Sequence, residues 1–385
     1  MLKNQSITVI GAGIGGLAGA LGLASRGARV RVLEQAGALT EVGAGLQVTP
    51  NGVAVLDGLG LGDRLRAIAV RSEAVVLRDY RHGVQVMRLD VSGGARPYLL
   101  VHRADLIDVL AAGAQAAGVE IELEQAVSSV VEDSDGVRLG FEDGGSETVE
   151  LLVGADGLQS RLRPVLNGEA DPFFTGQVAW RAVVSGAVGS GVDLYMGPGR
   201  HVVTYPLRSR SLTNIVAVEE RRDWTAEGWQ HPGNAEDLKR AFSMFCPQVL
   251  KLLDRVEDVN IWGLFRHPVA RRWHGERTVL LGDAAHPTLP FLAQGANMAL
   301  EDAWVLADCL ASLPVAKALA KYQMQRRGRV AKVIAAANAN ARNYHLRNPA
   351  ARLAAHSVLR FAGAVAPGQV IGRFDWIYAF DVTAR

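Results

Sequence analysis

Cysteine is nearly absent: Cys246 and Cys309 are the two in 385 residues, far apart and with no CxxC pair. That excludes a disulfide framework and a cysteine-based zinc site, makes a reducing compartment the expectation, and leaves both thiols as packing residues. An excess of one charge is lacking too. A net charge of +2 is too small and scattered to hold nucleic acid by charge, although it tolerates anionic cofactors and acidic substrates. The arginine clusters at residues 266–277 and 326–329 read as solvated faces. No apolar run approaches the roughly 20 residues of a membrane span. A strand starts within a few residues of Met1, which leaves no room for a signal peptide and makes a cytoplasmic protein the expectation. Linkers, repeats and low-complexity segments are missing as well. With 49% hydrophobic and 21% charged residues, the chain has material for a large core and two domains.

What is present is a nucleotide signature. Residues 6–10 form an apolar strand running straight into Gly11-Ala12-Gly13-Ile14-Gly15-Gly16; a small, apolar helix follows over 17–25, and a second strand, 29–33, ends at Glu34. A GxGxxG alone is weak, but strand, fingerprint, helix, strand and acid in this order supply the context a dinucleotide needs. Gly11 makes the turn, Gly13 lets the backbone approach a pyrophosphate, Gly16 lets the helix pack on the sheet, and Glu34 takes a ribose diol. The carboxylate repels a ribose 2′-phosphate, which favours FAD or NAD over NADP.

Residues 278–310 carry the second signal. An apolar run over 278–281 ends in Gly282 and Asp283. After a loop with Pro287 and Pro290, a helical pattern begins near Ala296, with Ala299, Leu300, Ala303, Leu306 and Leu310 on its inner side. Gly295 and Ala296 put almost no side chain at its opening, so an electron-rich ligand can rest on free N–H groups at the positive end of the helix dipole, worth roughly 1–2 kcal/mol to a partly buried negative charge. That suits the anionic pyrimidine edge of a reduced flavin, and Asp283 can hydrogen-bond a polyol such as ribitol. A further strand, 151–153, ends in Gly154-Ala155-Asp156-Gly157. Asp-Gly there is by itself a turn. In a doubly wound sheet, however, strand carboxyl ends converge on the ligand crevice, so Asp156, Asp283 and the fingerprint can meet at one extended cofactor. Arg103, at a strand-to-helix corner opening a helix to about 117, reads either as a phosphate or ribityl contact or as a surface arginine.

The remaining chain surrounds this unit. Gly43-Ala44-Gly45, ahead of Gln47, either admits a flat ring or punctuates a loop. Strands between 72 and 100 leave the nucleotide unit and return, and residues 119–123, 129–132 and 137–141 read as a small antiparallel addition. Residues 173–273 have a different texture, with strands at 177–184 and 201–207 and one helix near 235–245. The period of two puts His201, Val203 and Tyr205 on one strand face with the polar tips about 13 Å apart. That face is a wall for a flat aromatic ring, or else a structural histidine and an ordinary strand tyrosine. Helices are expected over 315–341 and 349–361. The expected architecture is α/β: a Rossmann-like nucleotide domain (residues 1–71, 100–172 and 273–340), an inserted β-sheet substrate domain (72–99 and 173–272) and a C-terminal helical segment (341–385).

GAGIGG at 11–16, GADGLQSRLR at 154–163 and GDAAHPTLPFLAQGANMALEDA at 282–303 together resemble the single-component FAD-dependent aromatic hydroxylases, which include salicylate, 3-hydroxybenzoate and 6-hydroxynicotinate hydroxylases. The likeness covers nearly the whole chain. It implies that Gly11, Gly13, Gly15, Gly16 and Glu34 hold the ADP half of FAD and that Arg103 lies by the cofactor. Asp156 belongs to a second FAD motif that also bears on the nicotinamide donor, and Asp283 sits near the ribitol. Pro290, Gly295, Ala296, Asn297 and Met298 border the flavin. The HVVTY strand and the LAQGA stretch resemble the salicylate and 3-hydroxybenzoate 6-hydroxylase branch, where a histidine and a tyrosine four residues apart line the substrate pocket. His201 then becomes the base, with Tyr205, Gln294 and Gln47 around the substrate. The 6-hydroxynicotinate enzymes are similar, but have histidine where this chain has Gln47.

The implied reaction reduces FAD with NADH or NADPH, adds O2 at the flavin C4a carbon, and passes oxygen from the hydroperoxide to a small phenolic acid. A base near neutral in pKa makes the phenolate. No metal is expected, and the protein is a monomer or a homodimer. Rival readings are a flavin reductase, a halogenase, whose WxWxIP signature is absent, or a flavin-binding sensor.

Overall fold

Apolar runs such as Ser6–Ile10 and Leu152–Gly154, buried along almost their whole length, need a covered sheet on both faces. They find it in a five-stranded parallel sheet. In the computed structural model, which describes residues 2–3, 5–39, 44–169, 172–186, 188–222, 224 and 231–384, its order is Thr278–Leu280, Leu152–Gly154, Ser6–Ile10, Arg29–Leu33 and Glu120–Glu122. The helix Ile14–Ala24 covers it and lies against the helix Gly295–Ser312. Small residues permit the approach. Cβ atoms placed on Gly15, Gly19 and Gly22 would sit 3.3, 4.0 and 3.2 Å from those of Ala299, Ala303 and Ala307, a match of successive turns that side chains on both helices would prevent.

Glu120–Glu122 corrects one expectation. It is the edge of the parallel sheet, paired with Arg29–Leu33, because the helix Arg103–Ala116 carries the chain back so that the next strand runs parallel. The antiparallel addition is Val127–Glu132, Val137–Phe141 and Ser146–Val149.

The second sheet has eight strands in the order His231–Pro232, Asn260–Arg266, Phe173–Ser185, Leu212–Glu220, Arg200–Leu207, Val192–Gly197, Ala74–Asp79 and Gln85–Asp90. Alternation gives its faces different partners. Trp180, Val202, Ala217 and Ile261 pack on Leu238, Phe242, Val249 and Leu253. Ala179, Val218 and Trp262 pack on Leu289, Phe291 and Leu292, from the loop that precedes the helix Gly295–Ser312. The single helix expected near 235–245 is two, Ala235–Ala241 and Pro247–Leu253. Pro247 biases Cys246 to an extended backbone and starts a new first turn. Both cysteines are buried, and neither forms a disulfide. A small sheet of Gly45–Val48, Leu99–His102 and Val70–Arg71 joins the two larger ones; Gly43 lies outside the described residues. No helix among them is long and apolar enough to cross a membrane.

The arginines at 326–329 are not all solvated. Arg326 is fully buried, with Nη1 2.6 Å from Glu301 Oε2 and Nε 2.6 Å from Asp302 Oδ1. Arg329 Nη2 lies 2.8 Å from Glu301 Oε1, and His286 Nε2 is 2.5 Å from Asp302 Oδ2. Sequence pattern gave no sign of this, because Glu301 and Asp302 lie on the inward side of their own helix. Burial works against both carboxylates, yet the facing cations hold them below the usual range. Arg326→Ala leaves two buried carboxylates short of a partner and is expected to cost about 3–5 kcal/mol, read from urea unfolding. Exposed Arg271→Ala should shift the same curve by less than about 0.5 kcal/mol.

Candidate active site

Four strands of the parallel sheet deliver candidate residues to one edge. Asp283 follows Thr278–Leu280, Asp156 follows Leu152–Gly154, the glycine fingerprint follows Ser6–Ile10, and Glu34 follows Arg29–Leu33. Since these strands are neighbours in that order, the residues span about 14 Å at some 4.8 Å per strand. Chain order reverses on either side of Ser6–Ile10, the switch point at which a doubly wound sheet opens its crevice.

The glycines differ in what they permit. Gly11 has φ +97° and would put a Cβ 2.6 Å from the Ala155 carbonyl, whereas a Cβ on Gly16 would meet the Gly11 oxygen at 1.9 Å. A Cβ on Gly15 would strike Leu281 at 2.6 Å; one on Gly13, at the helix opening, meets nothing within 4 Å. Only Gly13 therefore keeps open space at the dipole's positive end. Glu34 accepts the Ala12 and Ala36 N–H groups at 2.7 and 2.9 Å, which braces the loop and leaves lone pairs on both oxygens for a diol. Asp156 Oδ2 accepts from the Arg161 N–H at 2.7 Å, while Oδ1 is buried with no partner among the described residues. Burial raises the pKa of Asp156 and of Asp283; His286 and Arg103 oppose it at Asp283.

At the second helix opening, a Cβ on Gly295 would also meet nothing within 4 Å. Ala293, just before it, has φ +53°, a strained conformation for a residue with a Cβ. Asn297 and Gln294 hold this turn. Asn297 Nδ2 donates to Ala293 O at 2.6 Å and to Gln47 O at 3.0 Å, and its Oδ1 accepts from Thr49 N. Gln294 is fully buried; its Nε2 donates to Thr49 Oγ1 at 3.0 Å and its Oε1 accepts from Asn51 Nδ2 at 3.0 Å. Their side chains are thus committed to the loop. Met298 has its side chain in the core and its N–H on Gln294 O, so the free N–H groups facing outward belong to the first residues of the helix. Pro290 is exposed.

The face of the larger sheet opposite this turn carries His201 and Tyr205. His201 is buried 5.8 Å from the Phe291 ring and 5.5 Å from Tyr344, with Nδ1 2.7 Å from His345 Nε2. Burial, and then His345, push its pKa well below the ordinary value, so the near-neutral pKa expected from its role is corrected downward. Tyr205 lies against Gly45, where a Cβ would clash with its ring at 2.6 Å, and reaches Gln47. Gln47 Oε1 also accepts the Tyr98 hydroxyl at 2.6 Å. Tyr98, Tyr205, Tyr344 and Tyr378 all have phenol pKa values raised by burial.

Two arginines connect the halves. Arg103 is held down to about 10 by burial and by nearby Arg181, against Asp283. Arg181 lies 4.9 Å over the Trp262 ring and feels Tyr205, and its Nε is buried without a partner among the described residues. Sequence reasoning missed Tyr98, Arg181, Tyr344 and His345. Arg181 had a signal, an arginine inside an otherwise apolar strand; the others had none.

An open Gly13, a diol-accepting Glu34, the orphaned Asp156 Oδ1 and an open Gly295 turn fit a long dinucleotide laid along the edge with its ring system by Gly295. Residues 4–337 match the family described as FAD binding domain. The chain is 39% identical to 3-amino-4-hydroxybenzoate 2-monooxygenase of Streptomyces cremeus, covering 89% of both chains. It is 33% identical to 3-hydroxybenzoate 6-hydroxylase of Polaromonas naphthalenivorans, covering 98% of this chain and 96% of that one. A solved salicylate hydroxylase substrate complex superposes with a TM-score of 0.83 at 26% identity, over 99% of this chain and 96% of the other. With the cofactor edge and the aromatic-lined wall opposite it in one molecule, this chain belongs to the FAD-dependent aromatic monooxygenases, enzymes that consume O2 and NAD(P)H.

Proposed function

We propose that the substrate is a hydroxybenzoate, hydroxylated at a ring carbon ortho or para to its hydroxyl, and that His201 is the base that ionises it. The observation carrying this reading is a buried imidazole on the wall facing the Gly295 turn, Nδ1 engaged by His345 and Nε2 not bonded by any described residue. Bound FAD supplies the redox chemistry, taking hydride from NAD(P)H and activating O2. Glu34, Asp156, Asp283 and Arg103 would hold it, and the first N–H groups of Gly295–Ser312 would favour negative charge on its ring system. His201 Nε2 takes the phenolic proton, since a phenolate ring attacks electrophilic oxygen far better than a phenol. Tyr205, Tyr98 and Gln47 orient the ring and its oxygens. Gln294 acts through Thr49 and Asn51 as a positioning residue for the turn. Arg181 offers a cation for the carboxylate, and the aromatic lining excludes water that would divert reduced oxygen to hydrogen peroxide. Gln47 in the wall, where the 6-hydroxynicotinate enzymes have histidine, favours this over a hydroxypyridine substrate. We place the enzyme in the cytoplasm, as a monomer or homodimer.

A panel of hydroxybenzoates and hydroxypyridines, scored by product mass and by oxygen uptake per NADH, tests the substrate class; product from hydroxypyridines alone would overturn it. His201→Ala is expected to lower hydroxylation by about 10²- to 10⁴-fold while NADH oxidation falls much less, and equal product yield per NADH in the variant would remove His201 from its role. Because the neutral imidazole is the active form and its pKa is depressed, the acid limb of kcat/KM should lie below the usual histidine value of about 6.5; a limb at or above that value contradicts this. Asp283→Ala should weaken FAD retention by roughly 10- to 100-fold, the worth of a hydrogen bond to a charged group, seen as a colourless purified protein.

A further inference from the structure

Beyond His201 the polar chain continues outward. His345, which follows the helix Val315–Tyr344, places Nε2 2.7 Å from His201 Nδ1 and Nδ1 3.2 Å from Glu220 Oε1. Glu220 Oε2 in turn accepts from Arg347 Nε at 2.8 Å. Side-chain exposure rises from 2% at His345 to 30% at Glu220 and 71% at Arg347, so the chain runs from the interior to water. It ends in a surface depression lined by Gly199, Arg200, Glu220 and Arg347. Backbone bonds clamp it: the Gly199 N–H donates to His345 O at 3.2 Å, and the Glu220 N–H donates to Gly199 O at 2.9 Å.

We propose that His345 and Glu220 form, with His201, a proton exit that carries the substrate's phenolic proton from the buried site to the surface. The inference rests on the reading of His201 as the base. A carboxylate accepts and does not donate, so Glu220 fixes the proton of His345 on Nδ1 and leaves its Nε2 an acceptor. His201 must then carry its proton on Nδ1, and its Nε2 is bare toward the substrate. The phenolic O–H gives its proton to His201 Nε2, His201 Nδ1–H passes one to His345 Nε2, and His345 Nδ1–H passes one to Glu220 and then to water. Three N–H or O–H bonds break and three form before the proton reaches water, and the substrate is left as phenolate. The reverse passage resets both rings and protonates the product oxygen. Gln177 Nε2, 3.4 Å from His345 Nδ1, fits the same tautomer once its amide is turned, an orientation set by the network. Among the described residues, Arg200 and Arg221 also stand beside the exit, both on Glu219. Burial keeps both imidazoles neutral at pH 7, so a proton passes through without being stored.

Two measurements on the holoenzyme test this. Histidine 15N NMR without substrate should show His201 and His345 both protonated on Nδ1, and Glu220→Gln should lose that preference; protonation on Nε2 in the wild type would overturn the proposal. Stopped-flow mixing with the panel hydroxybenzoate consumed fastest, in weak buffer with a pH indicator, should show proton release slowed at least tenfold in His345→Gln, with substrate affinity within about twofold and with rate partly restored by added imidazole. Glu220→Gln, at the surface, gives the same readout if the His345 variant does not fold. Unchanged release in these variants, with release abolished in His201→Ala, would sink the exit and leave the base standing. Unchanged release in all of them would sink both.

Discussion

The buried charge cluster about Arg326 is the constraint on which the site depends. Glu301 and Asp302 sit on the inner face of Gly295–Ser312, and neither can stay ionised there without Arg326, Arg329 and His286. His286 belongs to the loop that begins at Asp283, and Glu301 reaches Asn51 at 2.6 Å. Asn51 holds Gln294, and Gln294 holds Thr49. One paired set of charges therefore fixes the helix, the acid at the start of its loop, the strained Ala293 turn at the end of that loop, and the strand bearing Gln47. A helix dipole is useful to a ligand only if the helix start does not move, and this cluster is what keeps it still.

On that frame the two halves of the site meet through charge as much as through packing. Asp283, Arg103, Arg181 and Tyr205 influence one another in sequence across the crevice, so the strand ends of the parallel sheet and the facing wall of the larger sheet share one electrostatic environment. Burial shifts every member toward its neutral form: the acid up, the two arginines down, the phenol up. Groups poised in this way respond strongly to a ligand's charge, since an anion beside Arg181 recovers what desolvation cost it.

The gathering of the glycine fingerprint, Asp156 and Asp283 at neighbouring strand ends is legible in the sequence because its signals are local. A glycine fingerprint, an acid at a strand end and small residues at a helix opening are each set within a few residues, and the sheet order then brings them together. His201 and Tyr205 shared a face by simple alternation. Tertiary partners were not legible. Arg326 lies in a charged stretch that looks solvated, and only the packing of its helix against Gly295–Ser312 shows which side is inward. The family resemblance puts Gln294 by the substrate and Asn297 by the flavin; what no local pattern contains is that their amides also build the turn. The alternation of the edge strand Glu120–Glu122 fits either sheet, and only the crossover helix before it decides its direction. His345 follows a long helix and meets His201 across 144 residues, a pairing no periodicity contains.

A dry pocket and a proton leaving it are competing demands. Water would carry the phenolic proton away easily, yet water at the reacting carbon wastes reduced oxygen as peroxide. Imidazoles resolve this, because each accepts on one nitrogen and donates from the other, and so conducts a proton through packed protein. The rings of Phe291 and Tyr344 flank His201 on its strand, and the first solvated group along the chain is Glu220. Its ion pair with Arg347 is exposed and contributes little to stability. Its value lies in direction: a fixed carboxylate at the outer end sets the tautomer of His345, and through it that of His201, so the order of protons in the interior is decided at the surface.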